Sequence, residues 1–600
     1  MRAVRHLVLV VVVVHASPSF AQSLPPDAKP TCTASIASWF ASGSVTLNGA
    51  VNPANGLALD TSNNCNFYLW SEQMFLWMTS PAASIYGGNG RVFQSPVFFG
   101  VENDQLVPQF TMPPFIPPIG VPPDAVKPPS SKLPPLTGVK LMKQLAAAVR
   151  PAKRGPHGLP VVIDRKGHAY EVVDAQRSAR GRPFVLSRAG AHTEVSRVTV
   201  DADHHVTFHD AAGRVIPQPR PVLEARLRGA QVVQRFFTSP NEAVFVDEAG
   251  SALDVSPEQA GRIGAVLLAH SGAVVYYTIA VNDVYAWFRT GVANGAINTN
   301  NQFPTTQSDL DQIVNYAAQY GVTFPDANAL AIEAKLSWVD ASTLPNPGDY
   351  ITMPAVVPVY STASSQSWPQ TGTKPVTLAL LGVHVVGSSI GHPEMLWATF
   401  EHFGNTPNAS YQYVNKAGAT TTVPQNTSGT WTLTSSSSSG PFNVAHANYL
   451  SAPAITAQSG QTISPSDTLR QNAFGVAPVG IPNQNDATPA IANTEVLALN
   501  NSVLGQLVTG DVRKNYYFLG TTWTFGGAPP TTPFPVGGNE IGTSYLSNST
   551  METYQQWMST SSPGNNCLDC HQSSSPSITN TDVSHIFGSL APLFTMPPKR

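Results

Sequence analysis

The chain has 600 residues, of which 42% are apolar, 9% aromatic and only 12% charged, with a formal net charge of −3. This composition supplies enough apolar side chains for a large buried core and excludes intrinsic disorder over the whole chain. With 45 glycines, 53 prolines and a mean hydropathy of −0.05, it also excludes collagen, a coiled coil and a multi-span membrane protein. The sequence pI near 6.6 argues against nucleic acid as a partner.

Residues 1–21 have the pattern of a secretory signal peptide. Arg2 and Arg5 precede an apolar run over residues 7–14, and Ala21 is a small residue at the expected cleavage position. This run is too short to cross a bilayer, which needs about 20 apolar residues, although an uncleaved anchor is the alternative. We therefore expect a periplasmic or secreted protein with no membrane span after signal cleavage, in a compartment where disulfides persist.

The next part of the chain divides by composition. Residues 22–106 are expected to form the N-terminal part of a main body, and the Pro-rich stretch 107–137 predicts an extended linker. Residues 138–240 carry 17 basic and 8 acidic side chains, whereas residues 241–600 carry 10 and 22. Two motifs, VVIDRKGHAYEVV and RVTVDADHHVTFHDAAGRVI, alternate apolar residues on both sides of a polar turn and predict β-hairpins. We interpret residues 138–236 as a basic β-hairpin insertion.

Residues 237–545 are expected to form the main, β-rich body. Residues 273–288 begin with a strand pattern and continue as a helix after Asp283, and Ser308 is expected to cap a helix that runs to residue 320. Further strands are predicted over residues 334–338, 376–386 and 395–403. The predicted fold class is therefore α+β, with a β-rich body and a short, partly helical C-terminal segment.

The C-terminal segment, residues 546–600, carries the motif with the most specific chemistry. Cys567, Cys570 and His571 form Cys-x-x-Cys-His, the pattern that attaches haem covalently. The two thiols add to the haem vinyl groups, and the adjacent imidazole ligates the iron on the proximal side. We therefore expect one covalent haem c in this segment.

Two other types of site use similar cysteine spacings. A thioredoxin-like redox pair would need a βαβ frame, which the surrounding sequence lacks. A Cys₄ zinc site would have to recruit Cys32 and Cys65. In an exported chain these two cysteines more simply form a disulfide, which should stabilise the fold by about 3–4 kcal/mol.

The sixth ligand of the iron is less defined. Only 29 residues follow His571, so the haem is expected to lie between this tail and the main body. Met596, in the tail, and His402, on the predicted strand 395–403, are the candidates singled out. Further side chains with a suitable nitrogen or sulfur are His384, His392, Met551, Met558 and His585.

Several segments together resemble an uncharacterised group of exported bacterial proteins of the cytochrome c family. They are NCNFYLWSEQMFLWMTSP, VYYTIAVNDVYAWF, IEAKLSWV, GVHVVGSSIGHPEMLWATFEH, SNSTMETYQQW and CLDCH. The resemblance covers about residues 30–105 and 240–600 and skips the basic segment, in keeping with an insertion. It implies haem binding and electron transfer through Cys567, Cys570 and His571, and it does not assign a substrate.

The expected function is thus single-electron transfer by an exported monohaem c-type cytochrome, with a soluble electron donor or acceptor protein as partner. One alternative is a periplasmic haem enzyme with a substrate site in the large body, because a carrier needs far fewer residues. Another is an exported binding or sensor protein with a structural haem. The sequence contains no dinucleotide-type Gly-rich loop, Gly-x-Ser-x-Gly or His-Glu-x-x-His motif that would assign a substrate, so whether the chain is an enzyme stays open.

Overall fold

The computed structural model describes the larger part of the chain. The described residues are 23–86, 90–102, 104–108, 161–163, 169–178, 182–187, 190–200, 206–222, 232–239, 242–246, 265–298, 300–448, 454–458, 460–474, 488–530, 539–543, 545–556, 566–571 and 579–595. The predicted signal peptide, nearly all of the predicted linker 107–137, Met558 and Met596 lie outside these residues.

The helices follow from local capping signals and burial. In the described ranges they are α1 (Asn64–Thr79), α2 (Asp283–Ala293), α3 (Gln307–Ala318), α4 (Pro489–Gln506) and the single turn α5 (Cys567–Cys570). The Asn282 side chain accepts a hydrogen bond from the Tyr285 N–H at 3.0 Å, which starts α2 directly after a strand as predicted. No described helix combines the length and the apolar character that crossing a membrane requires.

Strands dominate the rest of the described chain. Those of the first half are β1 (Phe98–Glu102), β2 (Gln105–Pro108), β3 (Val161–Ile163), β4 (Ala169–Asp174), β5 (Phe184–Leu186), β6 (His192–Glu194), β7 (Arg197–Val200), β8 (Val206–His209), β9 (Val232–Ser239), β10 (Glu242–Val246), β11 (Ala265–Val266) and β12 (Tyr276–Asn282). Those of the second half are β13 (Ile332–Asp340), β14 (Thr352–Tyr360), β15 (Ser367–Ser389), β16 (His392–His402), β17 (Tyr411–Val414), β18 (Thr420–Val423), β19 (Ala447–Asn448), β20 (Ala454–Ala457), β21 (Tyr516–Thr524) and β22 (Glu540–Gly542).

A twelve-stranded sheet organises the main body. Its central part runs in the order β2-β1-β12-β13-β15-β16-β21-β22, and each of these neighbouring pairs is antiparallel. The long strand β15 also pairs with β14 and β20 through its first half, so it joins the central part to the remaining strands. The predicted β-rich body is confirmed, and β13, β15 and β16 cover the predicted strands 334–338, 376–386 and 395–403.

The two faces of the central sheet are covered by different elements. On one face, α1 packs with Phe75 stacked on Phe400 at a centroid distance of 4.3 Å. On the other face, α2, α3 and the tail 579–595 form a second apolar cluster around Val281 and Val386. Because residues alternate sides along a strand, β1, β12, β15 and β16 contribute to both clusters. The tail 579–595 is therefore part of the core of the main body.

The basic segment forms small sheets with their own core. The two predicted hairpins are present as the antiparallel pairs β3–β4 and β7–β8. In addition, β9 pairs in parallel with β4 and antiparallel with β10. Buried Val185, Val198 and Phe208 belong to an apolar cluster that includes Val246. The expected boundary at residue 236 therefore falls inside β9, and the strands of this module run to residue 246.

The cysteine pair near the N-terminus is joined as expected. Cys32 and Cys65 form a disulfide with a Cα–Cα distance of 5.5 Å, which confirms this prediction. Cys65 lies in the first turn of α1, so the bond fastens the N-terminal segment to a helix that packs on the sheet.

Candidate functional site

The tail and the central sheet enclose a pocket whose floor is formed by two cross-strand rows of side chains. One row runs across β12, β13, β15 and β16 and consists of Ile279, Lys335, His384 and Thr399. The adjacent row contains Glu333, Val386 and Trp397. Since residues two apart on a strand share a face, both rows point to the same side of the sheet. The floor thus combines apolar and ionisable groups.

The Cys-x-x-Cys-His segment lies over this floor. Asn566 caps α5 by accepting a hydrogen bond from the Leu568 N–H at 2.8 Å, and the side chain of Leu568 is fully buried. The His571 N–H donates to the Cys567 carbonyl at 3.0 Å, so Cys567 and His571 are four residues apart on one side of a helical turn. Both line the pocket. α5 contains Cys570, but the side chain of Cys570 is outside the described part of the structure.

The pocket is lined mainly by apolar side chains. Its cavity volume is about 120 Å³. The apolar lining comes from the sheet, from the segment 545–556 and from the tail, namely Ile279, Val386, Trp397, Leu546, Met551 and Ile586.

The imidazole of His571 has a defined tautomer and orientation. Its Nδ1 lies 2.9 Å from the Val583 carbonyl oxygen, which can only accept, so Nδ1 carries the proton. This is the only hydrogen bond of the ring within the described residues, and Nε2 keeps its lone pair. Burial, followed by the neighbouring His585, lowers the pKa of His571 well below its usual value. A neutral imidazole with one anchored nitrogen is the form that binds metals.

Two aromatic rings contact the imidazole of His571. The ring of His585 stacks on it at a centroid distance of 3.8 Å and an interplanar angle of 16°. The ring of Trp397, on the floor, lies at 4.1 Å and 45°. These contacts leave the imidazole little rotational freedom.

The tail is fixed to α2 and to the sheet by hydrogen bonds. Ser584 Oγ lies 2.8 Å from the Tyr285 hydroxyl and donates to Glu333 Oε2 at 2.6 Å. Farther along, Thr290 Oγ1 accepts from the Leu593 N–H at 3.0 Å. The Val583 carbonyl that orients His571 is therefore held in place by the main body.

Ionisable groups of both signs share the pocket. Burial raises the pKa of Glu333 to about 7 and lowers the pKa of Lys335, although Glu552 and Glu333 oppose the latter effect. His384 Nε2 lies 3.1 Å from Glu552 Oε1, and the two side chains are only 18% and 14% exposed. In a partly dry pocket, charged groups interact more strongly than they would in water.

One wall of the pocket is the segment 545–556, which is docked on the same sheet face. Glu552 Oε2 accepts hydrogen bonds from the N–H groups of Ser547 and Asn548, both at 3.0 Å. Ser337 Oγ and Thr550 Oγ1 lie 2.6 Å apart, and a Cβ added to Gly382 would stand 2.7 Å from Thr550 Oγ1. Glycine at position 382 therefore lets this wall approach the sheet closely.

The structure places the candidate site residues in different parts of the fold. It brings Cys567 and His571 to one pocket, together with His384, His585 and Met551. Met596 lies outside the described residues.

His402, in contrast, is not among the described residues that line this pocket. It shares its face of β16 with Phe400, the face covered by α1, whereas Trp397 and Thr399 point to the pocket. Its ring is fully buried and stacks on Tyr350 at 3.8 Å. Nδ1 accepts from the Gly404 N–H at 3.0 Å and Nε2 lies 3.3 Å from the Asp349 carbonyl oxygen. His402 is thus a packed core histidine whose two nitrogens are both engaged.

The sequence reasoning did not identify Glu333, Lys335, Trp397 or Glu552 as pocket residues. A signal for the first two was present, because they are two residues apart in IEAKLSWV, a strand that is otherwise mainly apolar. Charged residues at alternating positions of a core strand indicate a polar site on one face of the sheet. Glu552 had no comparable signal.

Comparisons with known proteins found no match: no protein-family model, no curated protein and no solved structure is similar to this chain. Among the described residues, no group of three or more His, Cys, Asp or Glu side chains is placed to hold a bare metal ion.

Proposed function

We propose that this chain is an exported c-type cytochrome with one haem, bound through Cys567 and Cys570 and ligated by His571, that transfers single electrons. The observation that carries the proposal is the position of Cys567 and His571 in one pocket, with the Nδ1–H of His571 on the Val583 carbonyl. The signal-like segment 1–21 and the resemblance to exported cytochromes c support the same function. The partner would be a soluble electron donor or acceptor protein in the periplasm or outside the cell.

The residues of the pocket have distinct parts in this function. When bound, haem supplies an iron that alternates between Fe(II) and Fe(III). The Val583 carbonyl and the ring of Trp397 orient the His571 imidazole, and burial keeps it neutral. The apolar side chains of the floor and the tail would limit the access of water to the iron. Lys335, which also lines the pocket, would supply a hydrogen-bond donor for a haem propionate.

A second candidate function is that of a haem enzyme whose substrate binds in the same pocket. It is favoured by one observation, the presence of Glu333, Lys335 and Glu552, which could exchange protons with a bound molecule. The two functions differ in whether an exogenous molecule can bind to the haem iron. An enzyme of this type should bind carbon monoxide or cyanide readily and turn over small alcohols, aldehydes, amines or peroxide with a redox dye.

The haem assignment is tested by exporting the full chain from cells that contain the c-type attachment machinery. We expect a mature protein whose mass is increased by one haem, whose haem survives denaturing electrophoresis and whose reduced spectrum has sharp c-type bands. Cys567→Ala and Cys570→Ala should each weaken or abolish this attachment. The double variant Cys32→Ala/Cys65→Ala is the matched control and should keep its haem. Two unmodified thiols at positions 567 and 570 of the exported wild-type protein would refute the proposal.

A further inference from the structure

Besides Cys567 and His571, three histidine or methionine side chains line the pocket in the described structure. They are His384 on the floor, His585 in the tail and Met551 in the docked wall. If haem binds as proposed above, the side chain that reaches the second axial position decides whether the iron is closed to other ligands. Their geometries differ enough to distinguish them.

His585 has the wrong relation to His571 for a shared iron. Two imidazoles on opposite sides of one metal, each bound at about 2 Å, have ring centroids about 6 Å apart. The rings of His571 and His585 are instead face to face at 3.8 Å, with an interplanar angle of 16°. There is no room for a metal between them. His585 therefore supports the ring of His571 on one side.

Met551 belongs to the packing of the wall. Its side chain is 1% exposed and lies in an apolar cluster with Tyr277, Val339 and Leu381. The Met551 N–H donates to Asn548 Oδ1 at 3.2 Å, which fixes its backbone against the sheet. Releasing this side chain toward an iron would leave a void in the cluster, which is unfavourable.

His384 has the features of a ligand. It lies in the row between Lys335 and Thr399, on a strand paired on both sides, so its backbone is rigid. Its Nε2 is 3.1 Å from Glu552 Oε1, and the other oxygen of that carboxylate is fixed by two backbone N–H groups. Nδ1 of His384 has no hydrogen bond within the described residues. One nitrogen held by an oxygen and the other available is the usual arrangement of a metal-binding histidine, and His571 shows it as well.

We infer that His384 is the second axial ligand of the haem iron, opposite His571, and this inference rests on the proposed haem attachment. The floor of the sheet and the C-terminal tail would then each supply one imidazole. An iron with two imidazoles is six-coordinate, and its reduction potential is lower than that of an iron with one imidazole and one thioether. Such an iron is suited to electron transfer and closed to exogenous ligands.

The test uses the full exported chain with its haem attached. Electron paramagnetic resonance and visible spectra of the wild type should show low-spin iron with two imidazoles and without the charge-transfer band of a thioether ligand. His384→Ala should lose most of the low-spin signal, bind carbon monoxide when reduced, and regain the low-spin spectrum when free imidazole is added. His402→Gln, at a histidine outside the pocket, is the matched control and should stay low-spin, as should Met551→Leu.

The possible failures are distinguishable. A thioether signature in the wild type, or a His384→Ala protein with unchanged spectrum and potential, overturns the inference and leaves the haem assignment standing. Loss of the low-spin signal in Met551→Leu overturns it as well. Absence of covalent haem from the wild type overturns both the proposed function and the inference. If His384→Ala does not fold, the wild-type spectrum alone decides between two imidazoles and a thioether.

Discussion

Replacing Glu401 by Gln removes one charge of a fully buried ion pair that fastens the wall of the pocket. Glu401 and Arg470 are both 0% exposed, with Arg470 Nη2 2.9 Å from Glu401 Oε2 and Nε donating to the same oxygen at 3.2 Å. Glu401 also accepts hydrogen bonds from Asn405 Nδ2 at 2.9 Å and from the Ser549 N–H at 3.0 Å. Ser549 belongs to the wall segment 545–556, so the pair connects the sheet to the pocket.

The expected cost follows from what remains around the arginine. Without the carboxylate, Arg470 keeps its hydrogen bond to Asn408 Oδ1 and the ring of Tyr517, whose centroid lies 5.2 Å from the guanidinium carbon. Neither neutralises a buried positive charge, and removing one partner of a buried pair typically costs about 3–5 kcal/mol. We therefore expect Glu401→Gln to lower the free energy of unfolding of the main body by about 3–5 kcal/mol. Adding Arg470→Met removes the second charge and should recover part of this loss.

Denaturant unfolding followed by tryptophan fluorescence measures this effect. No tryptophan lies between residues 138 and 246, so the signal reports the main body. Lys374→Gln, at the ion pair Asp340–Lys374 of the main body whose lysine is 51% exposed, is the matched control and should cost less than about 1 kcal/mol. The reasoning is refuted if Glu401→Gln costs no more than this control, or if the double variant loses as much as the two single variants together.

Three further predictions concern stability. Cys32→Ala/Cys65→Ala should lower the free energy of unfolding by about 3–4 kcal/mol under oxidising conditions, because it releases a 33-residue loop. Denaturant titration measures this change, and equal stability with and without the disulfide would contradict the prediction. Burial lowers the pKa of His402 from 6.5 to about 3, so its stabilising contribution is complete above pH 6.5 and is lost as the pH falls toward 3. As the pH falls through this range, the free energy of unfolding of the wild type should decrease by about 1.4 kcal/mol per pH unit relative to that of His402→Gln. Denaturant titrations at several pH values measure this difference, and a difference that does not change with pH would disprove the prediction. Burial raises the pKa of Glu72 from 4.5 to about 8, so its contribution to stability is complete below pH 4.5 and is lost as the pH rises through 8. Between these pH values, the free energy of unfolding of Glu72→Gln should therefore rise relative to that of the wild type with a similar slope. A constant difference between pH 5 and 8 would argue against this prediction.

Local sequence patterns predicted many of the helices and strands but were less reliable for the residues at which these elements begin and end. The apolar run 376–386 and the alternation at 334–338 predicted β15 and β13, because a strand buried in a sheet needs such side chains wherever its partners lie. For α3, Ser308 was expected as the cap, but Thr306 is the N-cap. Thr306 Oγ1 accepts from the Asp309 N–H at 3.2 Å, while Asp309 Oδ2 accepts from the Thr306 N–H at 3.0 Å. Two hydroxyl residues that are two positions apart compete for such a cap, and tertiary packing decides between them.

A fully buried helix carries little local signal. α1 was not assigned from the sequence, since NCNFYLWSEQMFLWMT places apolar residues on all sides and therefore has no amphipathic period. Such a pattern is also compatible with a buried strand. Only its packing between the sheet and the disulfide-linked N-terminal segment distinguishes the two.

The sequence by itself determined the local chemistry: a thiol and an imidazole four residues apart, in a segment that forms one helical turn, and strands whose alternating pattern separates two faces. It could not decide which distant side chains meet that imidazole. His384 and His402 both lie in core strands, yet His384 faces the pocket beside Lys335 and Thr399, and His402 is on the opposite face, stacked on Tyr350. The reason is the register of the sheet, in which a shift of one residue turns every side chain of a strand to the other face. Register is set by the packing of the whole body, so only the tertiary structure could place these two histidines.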